Sequence, residues 1–227
     1  LRWSGAPRWL AQTWKGGDPA QAHAALRLLR DAENWPDVLA LLDRPDRPRP
    51  AFPDLRTVAL RALGDRANPT IVAGIDDRLK GDSDPRRRGQ YVDLLARVYK
   101  RPEPWVYWGF RPAPRPANTV AWERTASIAE ALNRTLADSD TGVRRSALLR
   151  MRREQVPVRL DALADWLRTE RDADHVAAIL DALEGYPVDQ TQRLLIETIA
   201  SGARDRGNRV AALRLFERGL TPDTEGR

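Results

Sequence analysis

Leu136-Ala137-Asp138-Ser139-Asp140-Thr141-Gly142-Val143-Arg144-Arg145 is the stretch on which the fold of this chain turns. Apolar residues at helical spacing run up to Leu136 and resume at Val143, so the two aspartates fall in a tight turn between helices. The first N–H groups of a helix have no intrahelical acceptor. Asp138 and Asp140 can accept from them and oppose the positive end of the helix dipole. Val143 then enters the core, and Arg144 can pair with turn carboxylates. The pattern recurs, less completely, where Leu79-Lys80-Gly81-Asp82-Ser83-Asp84 runs into Arg86, Arg87 and Arg88.

Outward from these turns, apolar residues keep a helical period. Leu55, Val58, Ala59 and Ala62 form an i, i+3, i+4, i+7 stripe, as do Tyr91, Leu94, Leu95 and Val98. Leu160, Leu163, Ala164 and Leu167 repeat it, and so do Val176, Ile179, Leu180 and Leu183. Helices of three or four turns with one apolar face are stable only when that face packs on a neighbour. Asp18-Pro19 and Asp84-Pro85 place a capping carboxylate before a proline at the first helical position. Gly64, Gly81 and Gly185 stand where a left-handed C-terminal residue is expected. These signals predict helices over 19–31, 35–43, 53–63, 69–80, 85–100, 123–137, 141–153, 158–169, 173–184, 188–201 and 207–219, with no sheet.

A Leu-x-Asp-x-Asp turn followed by Val-Arg resembles the HEAT repeat. That resemblance implies an all-α fold, a HEAT-like α-solenoid of antiparallel helix pairs, here a single domain over 1–227 cut from a longer protein. Such a stack buries each pair against its neighbours and offers broad surfaces for interaction.

Composition removes several alternatives. The 227 residues suffice for a sizeable core, and none is cysteine, which excludes disulfides, thiolate metal sites, covalent haem attachment and cysteine nucleophiles from this segment. No apolar run reaches the roughly 20 residues of a membrane span. The formal charge of +6 and the sequence pI near 10.2 suggest a nucleic-acid partner. Against that, the 32 acidic residues are interleaved with the basic ones, as on solvated helix faces with i,i+4 pairs. Three indoles, Trp3, Trp9 and Trp14, open the chain. Either they pack on the first repeat or they face a preceding domain.

One segment is unlike the repeats. Between the helices near 100 and 123 runs Arg101-Pro-Glu-Pro-Trp-Val-Tyr-Trp-Gly-Phe-Arg-Pro-Ala-Pro-Arg-Pro-Ala-Asn118, then Trp122. Connections of this length are usually functional or disordered. Trp105, Tyr107, Trp108, Phe110 and Trp122 argue for order, and five prolines favour an extended path. Arg111 and Arg115 can lay guanidinium planes on indole faces. We take Trp105, Tyr107, Trp108, Phe110, Arg111, Arg115, Asn118 and Trp122 as candidate partner-binding residues. The alternatives are a strap over 101–122 that only staples two repeats together, or a platform for nucleic-acid stacking.

The same stretch, Trp-x-Tyr-Trp-Gly-x-Arg-Pro-x-Pro-Arg-Pro-Ala-Asn followed by Trp-Glu-Arg-Thr and the aspartate turn, resembles large multidomain proteins of planctomycete-type bacteria. These join a dehydrogenase-like β-propeller, a helical-repeat region and a C-terminal haem-binding cytochrome domain. The resemblance covers about residues 91–157 and implies a periplasmic or otherwise extracytoplasmic parent with this piece as a helical spacer. The haem motif Cys-x-x-Cys-His is missing from this chain, so haem binding is not carried over to it.

No catalytic, cofactor-binding or metal-ligating residue is assigned. His23 and His175 are the only histidines, and neither is followed by Glu as in HEAT-repeat di-iron hydroxylases. No phosphate loop, nucleophile elbow or zinc spacing occurs. The expected function is therefore a noncatalytic scaffold that contacts flanking domains of its own chain or a protein partner. The alternative is a HEAT-like DNA-binding protein or alkylpurine DNA glycosylase, for which Asp165-Trp166 and nearby arginines are suitable material.

Overall fold

The structure, a computed structural model, describes residues 2–16, 18–45, 53–64, 66–104 and 117–220. Among them run α1 (Ala6–Thr13), α2 (Pro19–Ala32), α3 (Trp35–Ala40) with a 3-10 turn at Leu41–Asp43, α4 (Leu55–Leu63), α5 (Pro69–Gly81) and α6 (Pro85–Arg97). After two short strands, β1 (Arg101–Pro102) and β2 (Asn118–Val120), come α7 (Thr125–Thr135), α8 (Thr141–Arg153), α9 (Leu160–Thr169), α10 (Ala173–Leu183), α11 (Val188–Ala200) and α12 (Arg206–Leu220). Among the described residues the fold is all-α apart from that one ladder. β1 and β2 pair antiparallel with an irregular register, Arg101 opposite Val120 and Pro102 opposite Asn118. This corrects the expectation of no sheet: a loop that leaves and rejoins the helices at neighbouring points brings two extended segments into hydrogen-bonding range.

The helices begin where side-chain oxygens can cap them. Asp18 accepts from Gln21 N at 2.8 Å, Asp54 from Thr57 N at 2.7 Å, and Asn68 from Thr70 N at 2.9 Å. Proline comes directly after the cap in α2, α5 and α6, where its missing N–H costs nothing. The C-terminal glycines behave differently from expectation. Gly64 sits at φ −64°, Gly81 closes α5 as a helical residue, and of the described glycines only Gly16 is left-handed, at φ 105°. Glu33 and Gln155 take the left-handed positions instead, at φ 50° and 54°. α1, α5, α9 and α11 end by running into an extended residue, which needs no positive φ.

The chain divides into two compact units, Leu1–Ala131 and Leu132–Arg227, with the boundary inside α7. In the first, α2 packs beside α4 and α3 beside α5, while α1 leans on α2 and α3, and α6 on α5. In the second, α8 packs beside α10 and α10 beside α12, with α9 against α10 and α11 against α12. Alternate helices are thus side-by-side neighbours within each unit. The predicted stripe residues Val58, Ala59, Ala62, Tyr91, Leu95, Ile179 and Leu180 are all buried in these contacts.

Candidate functional site

Asn118 and Trp122 show how the long loop is anchored. The last carbonyls of a helix have no intrahelical donors. At the end of α6 three side chains from across the loop supply them. Asn118 Nδ2 donates to Arg97 O at 3.1 Å, Trp122 Nε1 to Val98 O at 2.8 Å, and Thr125 Oγ1 to Tyr99 O at 2.9 Å. Thr125 Oγ1 also accepts from Trp122 N at 2.8 Å, so the start of α7 and the indole share one cap. The ladder and these bonds make a frame from which residues 103–117 leave and return. Asn118 and Trp122 therefore spend polar atoms on the frame, although Asn118 itself is exposed and Trp122 half-buried. The other candidates, Trp105, Tyr107, Trp108, Phe110, Arg111 and Arg115, lie outside the described residues.

The aspartate turns carry the densest polar chemistry. Asp138 Oδ1 accepts from Asp140 N at 2.8 Å, and Asp140 Oδ1 from Val143 N at 2.9 Å. The partial copy is built alike, with Asp82 Oδ1 accepting from Asp84 N and Asp84 Oδ1 from Arg86 N, each at 2.9 Å. In both, the arginine six residues beyond the first aspartate turns back onto that aspartate's carbonyl. Arg88 Nη1 reaches Asp82 O at 3.0 Å and Arg144 Nη1 reaches Asp138 O at 2.6 Å. A third copy escapes the sequence pattern because glutamate replaces the first aspartate. Glu170 Oε1 accepts from Asp172 N at 3.0 Å, and Asp172 caps α10 through Asp174 N and His175 N, both at 3.0 Å. An acidic-x-Asp pattern with either acid at the first position would have found it.

Glu170 is the hub of the second unit. Only 6% exposed, it accepts from Trp166 Nε1 at 2.7 Å and Arg171 N at 2.8 Å, with His175 Nδ1 at 3.3 Å and Arg144 Nη2 at 3.5 Å. Burial pushes its pKa up, but the bonds from Trp166, the Asp172 and Arg171 amides and His175 outweigh it and hold the carboxyl at about 2. Arg204 donates to the Glu170 and Leu167 carbonyls and closes the end of α9. In the first unit Tyr91 occupies a related place. It donates to Asp82 Oδ2 at 3.1 Å and receives Arg56 Nη2 at 3.4 Å, while burial and then Asp82 keep its phenol protonated. Glu170 is held ionised, and it and the turn aspartates all accept hydrogen bonds, an arrangement suited to fixing turns.

Trp166, which by sequence could have offered a surface for stacked bases, is 3% exposed, with the Arg144 guanidinium 5.4 Å from its ring. Asp165 is exposed and bonds Arg168 at 2.9 Å. The pair presents no open aromatic face. His23 is exposed on α2. No group of three or more His, Asp or Glu able to hold a metal ion occurs among the described residues. No described helix is long and apolar enough to cross a membrane. A shallow cleft of about 540 Å³ lies along α3 and α5, lined by Pro36, Leu39, Pro69, Ala73, Arg78 and Arg124 among others. Arg78 is engaged by Asp43 at 2.7–2.8 Å through two nitrogens, and its third bonds Gly74 O at 2.9 Å. At the start of the chain Trp3 and Trp9 pack against each other with their rings tilted by 48° and centroids 5.4 Å apart, and both stay partly in water.

No protein-family model matches the chain, and no curated protein matches it. Its functional reading therefore stands on the residues themselves.

Proposed function

We propose that this chain is a noncatalytic helical-repeat module of the HEAT type, a stack of antiparallel helix pairs that positions neighbouring domains of a larger protein or a protein partner. The observation that carries the reading is the threefold turn. In Asp82-x-Asp84, Asp138-x-Asp140 and Glu170-x-Asp172 the first acid accepts from the amide two residues on, and the second caps α6, α8 or α10 through an amide two or three residues on. Arg144 then joins one turn to the next by reaching both Asp138 O and Glu170. Such repetition builds stiffness along a row of helices. Partner contact is centred on the aromatic, proline-rich segment between the two halves of the frame, because aromatic residues and arginine carry most binding energy at protein interfaces. The resemblance to planctomycete-type multidomain proteins supports an extracytoplasmic parent whose flanking domains are the first partners.

A photo-crosslinking residue at Glu103 or Ala117, both exposed at the mouth of the frame, tests this in the natural full-length protein. Protein adducts are expected from these sites and few from Arg193 on α11. Arg111→Ala and Arg115→Ala should reduce them with the melting curve unchanged. Tight duplex-DNA binding that weakens steeply with salt, without protein adducts, would support the DNA-binding alternative instead.

A further inference from the structure

The cleft along α3 and α5 lies within the first unit, and its lining residues are all described. α3 packs on α1, α4 and α5, and α5 packs on α6 as well, so the cleft is not the outer face of a terminal helix. Its shape follows from small residues. Gly74 lets α5 approach α3 closely, because a Cβ there would fall 2.5 Å from Leu39 Cδ1. Leu39, buried at 4% exposure, therefore forms the bottom. Around it stand Pro36, Pro69 and Ala73, whose short or ring-closed side chains leave the space above Leu39 open. The volume of about 540 Å³ falls within the roughly 300–1,000 Å³ typical of ligand sites.

The polar side chains of the lining, Thr70, Arg78 and Arg124, are donors, and no carboxylate is among them. Arg78 is locked in place. Its Nε and Nη2 go to Asp43 at 2.8 and 2.7 Å and its Nη1 to Gly74 O at 2.9 Å. Asp43 cancels its charge, yet an N–H on each terminal nitrogen stays unused. The Thr70 hydroxyl has no hydrogen-bond partner among the described residues. Arg124 supplies the uncompensated charge. Among the described residues its ion pair is with the neighbouring Glu123, 3.9 Å long and open to water, a contact of little strength. We infer that the cleft binds a small organic carboxylate, with the anion on Arg124 and an apolar body over Leu39, Ala73 and the two prolines. Thr70 and Arg78, roughly 12 Å apart along α5, offer donors to acceptor atoms at either end of such a molecule. One free cation matches the single charge of a carboxylate better than the double charge of a phosphate, and the donor-only lining disfavours amines. The inference does not rest on the scaffold reading, and crosslinking at Glu103 and Ala117 can succeed or fail independently of it.

The test uses the natural full-length protein and two probes of one shape, phenylacetate and its neutral counterpart phenylacetamide. Ligand-observed saturation-transfer NMR should show phenylacetate binding with a dissociation constant in the millimolar range, the scale expected of so small a molecule. Phenylacetamide should bind about tenfold more weakly or not at all. Arg124→Gln should weaken phenylacetate by about tenfold and bring it level with the amide. Ala73→Leu, which fills the cleft from an exposed position, should abolish binding of both probes. Arg193→Gln, on α11 in the second unit, should change neither. Unchanged melting curves are the control for folding of each variant. Absence of phenylacetate binding would overturn the proposal, as would equal binding of the two probes. Binding that survives both Arg124→Gln and Ala73→Leu would assign it to scattered surface arginines and overturn the site.

Discussion

Asp140 illustrates how much one carboxylate can do at a turn. Its Oδ1 takes the Val143 amide at 2.9 Å, and its own amide is taken by Asp138 at 2.8 Å. Asp140→Ala should cost about 0.5–2 kcal/mol, the usual range for losing a cap, read as a lower midpoint in urea denaturation. Asp138→Ala should cost less, since it removes a bond inside the turn and leaves the helix cap in place. Glu170 has a different signature, in pH. Its carboxyl titrates near 2 when folded and near 4.5 in the reference state, so the unfolded chain takes up the proton first. Its stabilisation is complete above about pH 4.5 and is lost as the pH falls toward 2. At about 1.4 kcal/mol per unit the loss is on the order of 3 kcal/mol. Melting temperatures of the natural chain and of Glu170→Gln should therefore differ widely at pH 7 and converge toward pH 2.

Among elements, the contacts that matter most lie where backbones come close. Gly219 near the end of α12 is such a place. A Cβ built there falls 2.2 Å from Val188 Cβ at the start of α11, and neither atom belongs to a flexible tip. Gly219→Ala should push the two helices apart and cost about 1–3 kcal/mol in thermal denaturation, despite alanine's better helix propensity. The loop frame offers a gentler probe. Trp122→Phe keeps the ring but deletes the bond to Val98 O, so about 1 kcal/mol of stability should go. Amide exchange should quicken over 98–102. Most elements were legible in sequence, because aspartate–proline caps and apolar stripes are local signals. α1 was not, since eight residues flanked by tryptophans carry no repeat pattern. Nor was the Glu170 hub, whose members Arg144, Trp166, His175 and Arg204 lie on different elements and meet only through packing. The clamp by Asn118, Trp122 and Thr125 was half legible: the residues stood out, but their roles as helix caps came from geometry.

At the scale of the whole chain, stability should track the number of neighbours each helix has. If the proposed repeat architecture holds, interactions run mainly between adjacent helices, and opening proceeds from poorly covered ones inward. In the second unit α10 touches α8, α9 and α12, and it holds Val176, Ile179, Leu180 and Leu183 fully buried. In the first, α4 lies against α2, α3 and the 3-10 turn, whereas α1 packs chiefly on α2 and α3 and carries the partly solvated Trp9. Native-state amide exchange read by mass spectrometry should therefore show the slowest amides in α4 and α10, and the fastest helical ones in α1. In α12 protection should be graded, stronger toward Gly219, where the backbone is pressed against Val188, and weaker around Val210 and Leu213. Equal protection in every helix, lost in a single cooperative step, would count against a repeat architecture and point to one globule whose helices all depend on a common core.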